Sequence, residues 1–156
     1  MAVNKGKGFE SQFRSDWIKA FPGGSIIRLQ DQMTGYKEFS KNICDFICYN
    51  YPNMFLIECK SHKGASLPLD NITQYDKLKS YADVKGLRVG IVLWLYEKDK
   101  VFYIPISTIK KLKEEGEKSV GIRHLNKYNI IEIPSEKMRV YMRSDYRILS
   151  LLQEGE

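Results

Sequence analysis

The sequence predicts an α/β protein in which helices flank a mixed central β-sheet. Residues 8–21 carry apolar side chains at steps of mostly three and four, which indicates one amphipathic helix. Residues 43–49 and 54–60 are apolar runs joined by a four-residue turn, "NYPN", which indicates an antiparallel hairpin. Residues 87–96 are apolar almost throughout, as in a central strand that is covered on both faces.

The rest of the sequence also divides into predicted helices and strands. The helical face of residues 8–21 comprises Phe9, Phe13, Trp17, Ile18 and Phe21. The segments outside the hairpin and the central strand are predicted as a strand over 25–30, a loop or exposed hairpin over 31–42, a helix over 71–86 with Asp70 or Asn71 as N-cap and Gly86 as its end, a strand over 101–106, a short helix over about 107–115 capped by Ser107, an edge strand over 129–133 and a terminal helix over 144–155.

Composition and charge limit the classes of protein. With 156 residues, 43% of them hydrophobic, we expect one domain, residues 1–156, with its own core. No apolar run is long enough to span a bilayer, the N-terminus lacks the apolar stretch of a signal peptide, and the three cysteines are an odd number, so we expect a reducing, cytoplasmic location and no membrane partner. The net charge of +6 favours an anionic partner, most commonly nucleic acid.

Three charged residues interrupt the apolar hairpin: Asp45, Glu58 and Lys60. Alternate side chains of a strand share a face, so Glu58 and Lys60 point the same way, and pairing around the turn brings Asp45 beside Glu58. Two adjacent carboxylates repel each other unless a cation lies between them, and oxygen ligands suit Mg²⁺ or Mn²⁺. With the backbone carbonyl of Cys59 as a further ligand, this set predicts metal-assisted hydrolysis of a phosphodiester.

These residues have two other interpretations. A cross-strand salt bridge on a solvated face is the common meaning of a Glu-x-Lys pair, but Asp45 is predicted within an otherwise apolar strand, where Asp is disfavoured. Zinc binding by Cys44, Cys48, Cys59 and His62 is disfavoured because Cys44 and Cys48 lie roughly 13 Å apart along a strand. Small buried hydrophobic side chains are the better interpretation of the cysteines, which parity places opposite Asp45.

The pattern "CD", twelve residues, then "ECK" resembles the active-site signature of the PD-(D/E)xK nuclease superfamily, with Cys44 in place of the usual Pro. The resemblance implies a restriction-endonuclease-like core. It also implies two further site residues: Gln74, on the helix after the Glu-x-Lys strand, and Glu10, an acid on the first helix that helps to hold metal. Lys60 would position the nucleophilic water or stabilise the transition state.

Within that superfamily the chain most resembles RecU-type Holliday junction resolvases of bacteria or phages. The matching stretches are "GKGFE", "CDFI", "ECK", "LPLDNITQYDKLK", "GIVLWL" and "FYIPI", over about residues 6–110. The resemblance implies a homodimer that cuts four-way DNA junctions with Mg²⁺ or Mn²⁺ in recombination and repair, in the cytoplasm of a bacterial or phage-infected cell. Residues 31–42 are much shorter than the stalk that this family carries there.

DNA contacts are predicted at basic residues around the candidate site. They are Lys5, Lys7, Arg28, Lys37, Lys41, His62 and Lys63. Arg28 can equally pair with an acid. Two rival functions remain open: a nuclease that acts on linear or single-stranded DNA, and a DNA-binding protein that does not cut.

Overall fold

The computed structural model describes residues 4–30 and 42–152. The elements are α1 (Lys5–Ala20), β1 (Ser25–Arg28), β2 (Phe46–Asn50), β3 (Asn53–His62), β4 (Ser66–Pro68), α2 (Tyr75–Lys79), β5 (Leu87–Leu95), β6 (Lys100–Pro105), α3 (Ile106–Glu114), β7 (Ser119–Gly121), β8 (Ile131–Glu132), β9 (Ser135–Lys137) and β10 (Met142–Ser144). Short 3-10 helices lie at Leu69–Asn71, Ile122–His124 and Tyr146–Leu151.

The predicted mixed central sheet is confirmed. Among the described residues, six strands form it in the order β1-β2-β3-β5-β6-β8. Strand β3 pairs antiparallel with β2 and parallel with β5, and the remaining neighbours are antiparallel. The crossover from β3 to β5 contains α2, as a parallel pair requires a long connection.

One core lies between the sheet and α1. Phe13 and Trp17 of α1 are fully buried, and their rings contact Phe46 of β2 and Phe55 of β3 at centroid distances of 5.1 and 5.2 Å. The predicted helical face is therefore right for the aromatic residues. It is wrong for Ile18, which is 45% exposed because it lies beside Trp17 and turns away from the sheet.

The second core lies on the opposite face of the sheet, beneath α2 and α3. Leu78 of α2 and Leu112 of α3 pack in one cluster with Leu56 of β3 and with Ile91 and Leu93 of β5. Strand β5 contributes to both cores, so the prediction of a central strand covered on both faces is confirmed.

The start of β2 differs from the prediction. The strand begins at Phe46, and Asp45 lies in a bend just before it rather than in mid-strand. The bend also breaks the predicted parity of the cysteines: Cys44 packs in the core beneath α2 and α3, whereas Cys48 and Cys59 pack in the core beneath α1.

Several helix predictions are wrong in their bounds. The segment predicted as one helix over 71–86 forms a 3-10 turn and then the five-residue α2, for which Gln74 is the N-cap. Helix α3 begins at Ile106, so Ser107 lies within it and Pro105 is the N-cap. The terminal helix is a 3-10 helix in the described part. The prediction for residues 31–42 lies almost wholly outside the described residues.

No helix among the described residues is long and apolar enough to cross a membrane.

Candidate active site

The hairpin of β2 and β3 brings Asp45 and Glu58 side by side. The register pairs Phe46 with Ile57, and the backbone N–H of Asp45 donates to the carbonyl of Ile57 at 3.1 Å. The Asp45 carboxylate accepts the backbone N–H of Cys59 at 2.8 Å and also shares a side-chain hydrogen bond with Glu58. A backbone donor thus fixes the Asp45 carboxylate against the strand that carries the second acid.

Glu58 is a buried acid with 8% of its surface exposed. Burial first, and then the hydrogen bond to Asp45 and repulsion by its charge, raise the pKa of Glu58 to about 9. The charge of Glu10 raises the pKa further, and that of Lys60 lowers it. Near neutral pH the two acids therefore hold a proton between them when no cation is present.

Glu10 reaches this site from α1, paired with Arg28 of β1. The Arg28 Nη2 atom lies 3.0 Å from the Glu10 carboxylate, and Nε donates to the same oxygen at 3.2 Å. Arg28 also donates to the backbone carbonyls of Leu29 and Asp45, the latter at 3.5 Å, and its guanidinium lies 5.6 Å from the ring centroid of Phe46. Of the two roles predicted for Arg28, the structure shows the pairing with an acid.

Lys60 and Gln74 lie on the side of the sheet that Glu58 faces. Lys60 is half-buried two residues after Glu58 and shares its face. Gln74 is half-buried at the start of α2, which packs over the same face. Its side chain makes no capping hydrogen bond to α2, so its amide does not cap the helix.

The structure describes five of the seven predicted DNA contacts. The Nζ of Lys5 lies 4.6 Å from the ring centroid of Tyr96, while the exposed Lys7 contributes its backbone N–H to the cap of α1. A ring nitrogen of His62 lies 2.7 Å from the carbonyl oxygen of the exposed Lys63. Lys37 and Lys41 lie outside the described residues.

The donor chemistry of the two acids fits a hard divalent cation. The Asp45 carboxylate lies against Glu58 and its charge raises the pKa of Glu58, an effect that a cation between the two acids would offset. In residues 4–30 and 42–152 no three His, Cys, Asp or Glu side chains gather as a metal cluster. An ion held here would complete its coordination with backbone carbonyl, water or phosphate oxygens, as Mg²⁺ commonly does.

Sequence reasoning missed two features of this region. Arg28 holds the backbone of Asp45, and no local pattern reveals a contact that spans β1 and β2. Tyr75 of α2 lies under the ammonium groups of Lys79 and Lys113. The four-residue spacing of Tyr75 and Lys79 was a signal in the sequence, but the contact with Lys113 depends on how α2 packs against α3.

A mixed sheet flanked by helices, with two acids and a lysine on its central hairpin, is the arrangement expected of an α/β nuclease. A family model described as Recombination protein U matches residues 27–144, and the chain belongs to this family. The predicted resemblance to RecU-type Holliday junction resolvases is thereby confirmed, and with it the function class, Holliday junction resolvase.

Among solved structures, the chain is similar to Hjc, a Holliday junction resolvase from the archaeal hyperthermophile Archaeoglobus fulgidus. The identity is 24%, the match covers 66% of this chain and 78% of that one, and the TM-score is 0.48. A search of curated proteins finds no significant match.

Proposed function

We propose that this protein cuts four-way DNA junctions as a homodimer, by hydrolysis that depends on a divalent metal ion, with Asp45, Glu58 and Lys60 at the point of cleavage. The observation that carries the proposal is the contact between Asp45 and Glu58 beside Lys60. A protein that only bound DNA would gain nothing from two acids facing a phosphate, because they repel it.

Mg²⁺ is the proposed cofactor, with Mn²⁺ as a substitute. Asp45, Glu58 and the backbone carbonyl of Cys59 would hold it, and Glu10 would contribute negative charge from α1. When bound, the ion supplies the positive charge that lets both acids ionise and that offsets charge developing on the phosphate.

Three side chains of the protein would position the metal ion, the water and the phosphate. The N–H of Cys59 orients the Asp45 carboxylate, so the position of its other oxygen beside Glu58 is fixed. Lys60 places an ammonium group next to Glu58, where it can hold the attacking water or the phosphate oxygens. Gln74, on the same side of the sheet, would orient the water or a ligand through its amide.

A homodimer fits the substrate because a two-fold enzyme matches the two-fold symmetry of a junction. Each protomer would make one of two paired nicks. Since the family acts on DNA, we place the protein in the cytoplasm of a bacterial or phage-infected cell.

The test uses end-labelled DNA as a mobile four-way junction, a linear duplex and a single strand, each with Mg²⁺, Mn²⁺ or EDTA. We expect paired symmetric nicks on the junction alone and none in EDTA. Metal-dependent cutting of all three would replace the junction claim by a general nuclease. The absence of cutting with either metal would leave a DNA-binding protein and would refute the roles of Asp45, Glu58 and Lys60.

Substitution connects the activity to the site. Glu58→Gln keeps the size of the side chain and removes the charge, and Lys60→Gln removes the ammonium group. Both should abolish cleavage in Mg²⁺ and leave junction binding in EDTA largely intact. Lys19→Gln, an exposed change on α1, is the control and should cut like the wild type.

A further inference from the structure

Two lysines meet over one aromatic ring where α2 and α3 pack together. The Nζ of Lys113 lies 4.5 Å and the Nζ of Lys79 lies 5.7 Å from the ring centroid of Tyr75. The face of an aromatic ring attracts cations, so the Tyr75 ring stabilises the positions of both ammonium groups. Tyr75 is the first residue of α2 and directly follows Gln74.

Neither Lys79 nor Lys113 forms an ion pair in the described residues, although the negative charges of Asp76 and Glu114 lie close enough to raise the pKa of Tyr75. Three acids at the C-terminal end of α3 interact with other residues, and one acid lies beside the Tyr75 ring. Glu114 pairs with Lys110 at 4.0 Å, Glu115 accepts the hydroxyl of Tyr128, Glu117 accepts Arg123 at 2.7 Å, and Asp76 is exposed beside Tyr75.

The Tyr75 site belongs to the side of the sheet that carries Glu58 and Lys60, because α2 and α3 cover that face. The chain leaving β3 after His62 forms β4, which pairs with β7, the strand that follows α3. The N–H of Leu69 donates to the carbonyl of Lys118 at 2.9 Å in the same connection. The C-terminal end of α3, with Lys113, is thus tied to the segment that follows Lys60.

We propose that Lys79 and Lys113, held over Tyr75, bind backbone phosphates of the DNA beside the phosphate that is cut. The inference rests on the proposed function, since it takes the same DNA as its ligand and extends its contact surface across α2 and α3. Such contacts set the position and affinity of the DNA and carry no base specificity. They contribute to binding and leave the chemical step to Asp45, Glu58 and Lys60.

The experiment measures the affinity for a fluorescent four-way junction in EDTA, where no cutting occurs, for the wild type, Lys79→Ala, Lys113→Ala and the double variant. Each lysine that contacts a phosphate should contribute about 1 to the slope of log affinity against log salt. From about 50 mM to about 200 mM salt, the wild type should lose roughly 3.5-fold more affinity than each single variant. In Mg²⁺ at saturating protein, the single-turnover cleavage rate should not change.

Lys19→Ala is the matched control, because it removes the same charge from an exposed position on α1, across the sheet. If Lys79→Ala and Lys113→Ala match Lys19→Ala in affinity and salt slope, the Tyr75 site does not bind DNA. If the wild type binds the junction but does not cut it, the proposed nuclease activity is refuted. The affinities of the Lys79 and Lys113 variants would still show whether the Tyr75 site binds DNA. Failure of the wild type to bind any DNA would overturn both proposals.

Discussion

At the scale of single residues, the main feature of the site is the electrostatic repulsion between Asp45 and Glu58. Glu58 has a pKa of about 9 in the folded chain because it is buried against Asp45, whereas in an unfolded chain its pKa is near the ordinary value of 4.5. Between those values the folded state binds the extra proton, so stability falls as pH rises through this window. An amide of the same size would avoid this loss of stability, so a chemical role explains the buried acid better than a structural one.

The first prediction concerns Glu58→Gln without metal. The variant should be more stable than the wild type near pH 8, because an amide needs no proton in this environment. The wild type should lose up to about 1.4 kcal/mol for each pH unit within the window, and the variant should lose less. Thermal unfolding in EDTA from about pH 5 to about pH 9 measures the difference. Mg²⁺ should raise the Tm of the wild type and leave that of Glu58→Gln nearly unchanged; equal shifts would refute metal binding at this acid.

The second prediction concerns Arg28. Its substitution by Gln removes the ion pair with Glu10 near Glu58 and removes a donor to the backbone carbonyl of Asp45. Without the guanidinium beside it, the negative charge of Glu10 should raise the pKa of Glu58 further. The acidic limb of the plot of cleavage rate against pH should then move to higher pH by about one unit, which is a tenfold loss of rate near neutral pH. Arg28→Lys keeps a charge and should show a smaller shift. An unchanged pH profile in Arg28→Gln would contradict this account.

At the scale of elements, α1 is tied to the C-terminal part of the chain by one buried acid. The Asp16 carboxylate accepts the backbone N–H of Ser144 at 2.9 Å, and its other oxygen accepts the side-chain amide of Gln12 at 2.9 Å. Burial raises the pKa of Asp16 in spite of these donors. The contact fixes α1, which carries Glu10, against β10.

The third prediction follows from this tether. Asp16→Ala leaves the N–H of Ser144 buried without its acceptor and should lower the free energy of unfolding by about 1–3 kcal/mol. Asp16→Asn keeps an acceptor oxygen at the same place and should cost less. Urea denaturation of both variants measures the loss. Equal loss in both would mean that the charge of Asp16, and not its acceptor, stabilises the contact.

The elements also show what the sequence could and could not predict. Continuous apolar runs predicted β3 and β5 closely, because both strands are buried on two faces. The same reasoning placed the start of β2 too early, since the bend at Asp45 depends on a bond to Cys59 across the hairpin. It made α2 too long, because Tyr81 and Val84 have no core to pack against and stay 39% and 50% exposed. The pairing of Asp45 with Glu58 was predictable, as a short turn fixes the register of a hairpin.

At the scale of the whole molecule, resolving a junction requires two nicks in one substrate. A homodimer can nick both strands before it dissociates, whereas a monomer must bind twice. The two models differ in what an inactive protomer does when it is mixed with an active one. In a dimer, an inactive protomer occupies one of the two positions on the same junction, while an inactive monomer merely competes for DNA.

The last prediction uses this difference. Wild type that has exchanged subunits with excess Glu58→Gln should give mainly junctions with a single nick, because most active protomers then have an inactive partner. Supercoiled cruciform plasmid separates the outcomes, since one nick relaxes the plasmid and two paired nicks linearise it. Without exchange, the same amount of wild type should give mostly linear product. If the variant only slows the reaction and the ratio of linear to relaxed plasmid stays the same, the protomers act independently and the homodimer is wrong.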